Sequence, residues 1–128
     1  MSVLIICAVL AVLLPYFAKV PVALEMNKLG GYDNKHPRQQ QQELQGLGAR
    51  AYAAHQNCFE ALAVFAVALA VAFGTQTFTP LVEWLAISHI IARVVYCVLY
   101  WTNIDVLRSI VWVIGLGCAV AIIVVSGL

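Results

Sequence analysis

The sequence predicts an all-α membrane protein folded as an up-and-down bundle of four transmembrane helices. Three observations carry this expectation. First, 63% of the 128 residues are hydrophobic and only 10% are charged, whereas soluble domains carry about 25% charged residues. Second, four apolar runs have the roughly 20-residue length that a helix needs to cross the hydrocarbon core. They cover residues 2–24, 49–73, 80–101 and 106–126 of one domain spanning 1–128. Third, the connections 74–79 and 102–105 are short, and short connections make successive helices antiparallel neighbours.

The first run begins without a basic segment and is longer than the roughly 7–15 residues of a signal-peptide core, so it reads as a retained span. Pro15 and Pro21 lie inside it; neighbouring helices tolerate such breaks within membranes. The connection 25–48 is polar, with Lys28, Asp33, Lys35, Arg38 and the glutamines 39–42. From Pro37 onward its composition predicts an extension of the second helix into water, with the glutamines on a solvated face. Pro80 suits the first turn of the third helix, where its missing N–H costs nothing. Asn103 or Asp105 is placed to cap the fourth.

Basic residues near helix ends mark the cytoplasmic side. Lys28, Lys35, Arg38 and Arg50 flank the first connection and Arg108 the third, while the second has none. Loops 25–48 and 102–105 are therefore expected in the cytoplasm, with both termini opposite. A net charge of +1 and the lack of any Lys/Arg-rich run give no basis for nucleic-acid binding. Cys7, Cys58, Cys97 and Cys118 show no CxxC spacing, so they read as small buried hydrophobes rather than zinc ligands or disulfides.

The polar residues of the spans converge on one membrane face. Ionisable groups within a bilayer are costly and mark functional sites. Arg50, His55, Asn57 and Glu60 fall in the first turns of the second span. Arg93, Tyr96 and Tyr100 share one face in the matching half of the third, by i, i+3, i+7 spacing. Arg108 opens the fourth. Glu60 is expected to pair with Arg93, because a buried charge needs a partner. Arg108 stands at a helix N-terminus, which prefers anions; it either snorkels to lipid phosphate or meets a bound anion. No second His or carboxylate stands beside His55 at metal-ligand spacing, so no metal is expected. Nucleophile elbows, P-loops and dinucleotide fingerprints are absent.

The pattern R-x-x-x-x-H-x-N-x-x-E, formed by Arg50, His55, Asn57 and Glu60, resembles the signature of the MAPEG family, the membrane-associated proteins in eicosanoid and glutathione metabolism. Arg93, Tyr96, Tyr100 and the pair Arg108-Ser109 resemble its second characteristic block. Chain brevity and an apolar C-terminus resemble a bacterial member. The resemblance implies a homotrimer binding glutathione as co-substrate between protomers near the cytoplasmic face. Arg50, His55, Asn57, Glu60, Arg93, Tyr96 and Tyr100 would hold the tripeptide, and Arg108 would stabilise its thiolate. Ala53 and Ala61 depart from some family enzymes, which carry an arginine and a tyrosine there.

The implied activity is that of a membrane glutathione transferase, with or without peroxidase activity, acting on lipophilic electrophiles that arrive through membrane lipid. The alternative is a non-catalytic scaffold of the same fold that binds lipid or glutathione. A channel or transporter is disfavoured because the polar residues stop at one depth.

Overall fold

The computed structural model describes residues 1–128. It contains helices and no strands: α1 (Ser2–Asn27), α2 (Pro37–Gln42), α3 (Leu47–Gly74), α4 (Pro80–Trp101) and α5 (Asp105–Gly127). Four of them, α1, α3, α4 and α5, are long and apolar enough to cross a membrane. They form the four-helix membrane bundle that the hydropathy pattern predicts. Its outer surface carries large apolar side chains such as Phe17, Trp84, Ile91 and Val113, which water would not tolerate on this scale.

The interior is organised around α3 and α4, each of which packs on α1, α5 and the other. The backbones of α1 and α5 stay apart. Among the four spans α4 is the most buried and α5 the least. At the end that holds the chain termini, Leu4, Phe65, Ala68, Ala72, Val82, Ala119 and Ile122 form the largest core cluster. Two smaller clusters follow toward the other end, one around Ala18, Ala54, Cys58 and Cys97 and one around Val22, Met26, Leu44 and Ala51.

Small residues set the helix spacing, as is usual between helices in lipid. A Cβ added at Gly48 would lie 3.1 Å from Leu44 and 3.2 Å from the Cβ of Glu25. The glycine therefore lets α3 begin close against the end of α1. Pro15 and Pro21 are accommodated within an uninterrupted α1.

The helices that lead into the two short connections, α3 and α4, end in the same way. Gln76 and Asn103 adopt positive φ, 55° and 61°. Each is followed by a residue whose N–H reaches back five positions, Thr77 to the Ala72 carbonyl and Ile104 to the Leu99 carbonyl, both at 2.9 Å. This left-handed helix stop satisfies carbonyls that would otherwise lack donors. Asn103 thus closes α4 and caps nothing in α5, whose N-cap is Ile104 with no side-chain bond. At the start of α4, the Thr79 hydroxyl accepts from Val82 N–H and Pro80 occupies the first turn.

The long connection corrects two expectations. The second span does not extend continuously from Pro37: α2 is a separate six-residue helix, and the chain turns at Gly46, φ +56°, before α3 begins. Burial of Leu44 against Met26 and Ala51 holds that turn in place. Nor do the glutamines form a wholly solvated face. Gln40 and Gln41 are buried. The Gln40 amide donates to the Gly31 carbonyl at 2.8 Å and the Met26 carbonyl at 3.3 Å. Its oxygen accepts from Asp33 N–H at 2.9 Å. One side chain thereby stitches the loop to the end of α1.

Candidate functional site

The site lies at the loop end of the bundle, where α3, α4 and the start of α5 meet. Arg93 is its centre. Although charged, it is buried to 3% exposure, and its guanidinium needs local compensation. Nη2 donates to the Asn57 Oδ1 at 2.7 Å and more weakly to the Cys58 Sγ at 3.9 Å. The guanidinium carbon lies 4.3 Å from the centroid of the Tyr96 ring. The Asn57 amide in turn donates to the Glu60 Oε2 at 3.0 Å.

The expected Glu60–Arg93 ion pair is therefore replaced by a relay through Asn57. Residues 57 and 60 stand one turn apart on α3, and Asn57 is the one that faces α4. Glu60 points outward: it is exposed and belongs to none of the ion pairs in the structure.

The aromatic face of α4 continues this arrangement toward α5. Tyr96 and Tyr100 pack edge to face, with centroids 5.7 Å apart. The Arg108 guanidinium carbon lies 4.2 Å from the Tyr100 ring centroid. The order is cation, ring, ring, cation, with both guanidinium groups held by the electron-rich ring faces. Asn57, Tyr96, Arg108, Ser109 and Trp112 line one open cavity of about 260 Å³. Asn57, Glu60, Ala61, His89, Arg93 and Trp112 border a second, of about 80 Å³. Asn57 and Trp112 border both, so the two are adjoining parts of one polar face.

Two residues anticipated for this site sit elsewhere. Arg50 donates from Nη2 to the Trp101 carbonyl at 3.3 Å, which puts its charge against the C-terminus of α4, the end that favours cations. The His55 Nδ1 bonds the Pro15 carbonyl at 2.7 Å, so the imidazole faces α1. It borders a separate open cavity of about 460 Å³ together with Lys19, Arg38, Gln41, Tyr52 and Gln56. Lys19 could have been singled out from sequence, being an ionisable residue within an apolar run. Trp112 and His89 carried no such signal. The His89 Nδ1 bonds the Gly115 carbonyl at 2.8 Å, and its ring stacks on Phe65 at 4.3 Å. No group of three or more His, Cys, Asp or Glu side chains could hold a metal ion.

Chemically, this face offers two arginines, an outward carboxylate, an amide and two phenols along about two turns of α4. A family profile for MAPEG matches residues 3–128, essentially the entire chain. The chain belongs to the MAPEG family. It is thus a multi-pass membrane protein of that family with the four-helix bundle described above. No curated protein and no solved structure matches it.

Proposed function

We propose that this MAPEG protein is a membrane glutathione transferase, with glutathione bound along the Asn57–Glu60–Arg93–Arg108 face. One observation carries the reading. Glu60 and Arg108 stand at the loop end without any ion-pair partner, beside an open cavity that Asn57, Tyr96 and Arg108 line. Charges at membrane depth call for counter-charges. Glutathione brings two carboxylates and a thiol for the arginines, and an amine for the free oxygen of Glu60.

Arg108, in the first turn of α5, combines its own charge with the positive end of the helix dipole. It holds the sulfur as thiolate, the nucleophilic form. The lipophilic electrophile enters from lipid; the sulfur–carbon bond forms as the leaving group departs. The protein's contribution is orientation and preorganised charge. In the membrane, the loop end faces the cytoplasm, because Lys28, Lys35, Arg38, Arg50 and Arg108 cluster there.

The protein assembles as a homotrimer with glutathione between protomers. Two features support this. Polar cavities occur on two faces of α3, one toward α1 with Lys19, Arg38 and His55, the other toward α4 and α5. Both are open, and a neighbouring protomer would cover them. In this assembly His55 serves the site of the adjacent protomer, and Arg50 acts by holding the end of α4.

The test is conjugation of glutathione to a generic aryl halide by the detergent-purified protein. Arg108→Ala should lose most of the rate, about 10²-fold or more, as for removal of a group that stabilises developing charge. Equal rates in the two proteins would contradict the thiolate role. A second reading, a scaffold that binds glutathione or lipid without turnover, is favoured by the engagement of Arg50 with Trp101 and by Ala61 at the cavity wall. Binding without conjugation would select it.

A further inference from the structure

Beneath the polar face, two cysteines from different helices meet. Cys58 of α3 and Cys97 of α4 are buried, with their sulfurs in hydrogen-bond contact at 3.3 Å. All four cysteines of the chain are free thiols. The other two are placed differently: Cys7 packs in the core cluster at the terminal end, and Cys118 lies half-buried on α5. Of the four, Cys58 is the one within hydrogen-bond reach of a cation, the Arg93 Nη2 at 3.9 Å.

Space for a small reactant exists at this point. Cys58, Ala61, His89 and Arg93 border a small, part-open cavity of about 10 Å³, which is room for about one water-sized molecule. Ala61, His89 and Arg93 also border the larger cavity of about 80 Å³ beside Glu60. The small chamber thus adjoins the larger one, so a peroxide can place one oxygen beside Cys58 while its other oxygen stays in the larger space.

We propose that Cys58 and Cys97 form a redox-active dithiol, which hydrogen peroxide oxidises to a disulfide joining α3 to α4 within one protomer. Cys58 is the attacking sulfur. It takes one peroxide oxygen as the O–O bond breaks, giving a sulfenic acid and one water. The Cys97 sulfur then attacks Cys58, the S–O bond breaks, and a second water leaves. The two thiols lose two protons and two electrons, and the peroxide is reduced to two waters. Arg93 stands beside Cys58, where it stabilises the charge that develops on the attacking sulfur. The sulfurs need to approach by about 1.3 Å to reach the disulfide length.

The same Arg93 Nη2 bonds both Cys58 and Asn57, so a displaced Cys58 sulfur acts on the Asn57–Glu60 relay through one side chain. Oxidation should therefore weaken ligand binding at the polar face. This coupling rests on the glutathione reading; formation of the disulfide does not.

The experiment treats the full-length protein in lipid nanodiscs with hydrogen peroxide, then alkylates under denaturing conditions and digests without reduction. The expected result is a peptide pair joined through Cys58 and Cys97, two hydrogens lighter than its parts. Two of the four thiols are then lost to alkylation, while Cys7 and Cys118 stay alkylated. In Cys97→Ala, dimedone added on denaturation after the peroxide pulse should label Cys58. Glutathione disulfide, too large for the chamber, should produce no link.

Four alkylated cysteines after peroxide treatment, links through Cys7 or Cys118 instead, or a link formed by glutathione disulfide alone would overturn the proposal. The main readout uses the unaltered protein, so a poorly folded variant does not decide it. Glutathione titrated into reduced and oxidised protein tests the coupling: several-fold weaker binding after oxidation is expected, and equal affinities overturn it. Absence of binding in both forms contradicts the glutathione reading and leaves the disulfide result standing.

Discussion

The two ends of the bundle are built on different terms. At the terminal end, eleven buried residues form one apolar cluster in which Phe65, Ala68, Ala72, Val82, Ala86, Ala119 and Ile122 interlock. At the loop end the core divides into clusters of five and four residues, and the space between holds arginines, tyrosines and open cavities. One end is given over to packing, and the other carries the polar groups and the open space. Within lipid, close packing rather than exclusion of water holds helices together. The tight end can therefore hold the helices in register while the loop end keeps charged groups that a compact core would exclude.

The largest expected effect comes from opening the packed end. Ile122→Ala, at a site with no exposure, should cost about 2–5 kcal/mol through lost contacts and the cavity left behind. Thermal unfolding in detergent would register it. The protein that remains folded should bind ligand at the loop end with unchanged affinity. A comparable loss of affinity would mean that the two ends are not separable.

Arg93→Ala should reverse the pattern. It removes the donor to Asn57 and the cation over Tyr96, so glutathione affinity should fall about tenfold or more, the worth of one charge-assisted hydrogen bond. Titration calorimetry measures this, with unfolding of the same sample as control. The smallest effect is expected at Ser126, whose buried hydroxyl at the terminal end lacks a hydrogen-bond partner. Ser126→Ala should be neutral or stabilising by about 1 kcal/mol, since an unpaired polar group is removed from the interior. Clear destabilisation would show that the hydroxyl has a partner in the assembled membrane protein.

The four-helix bundle was legible in the sequence because hydropathy and connection length are properties of continuous segments. The shared face of Arg93, Tyr96 and Tyr100 was legible too, since helical spacing fixes which residues lie on one side. What spacing cannot give is the rotation of one helix against another. The relay through Asn57 in place of a direct Glu60–Arg93 pair depends on that rotation, as does the meeting of Cys58 with Cys97. Rotation also sends His55 to the α1 side, where Pro15 offers a carbonyl.

The break between α2 and α3 escaped for a different reason. The stretch around Pro37 to Leu47 is compatible with helix, and burial of Leu44 together with the positive φ of Gly46 overrides that propensity. Asn103 or Asp105 was expected to cap α5, because both residue types suit an N-cap; Asp105 instead falls in its first turn. Asparagine also tolerates left-handed backbone, and here that second property governs its place at the end of α4.

The central claim is that the loop end holds glutathione between its arginines and Glu60. Calorimetric titration of glutathione into the purified full-length protein tests it most directly. Saturable binding is expected, weakened by Glu60→Ala and by Arg108→Ala but not by Ile122→Ala. Absence of heat from the intact, folded protein, or binding indifferent to both site substitutions, would contradict it.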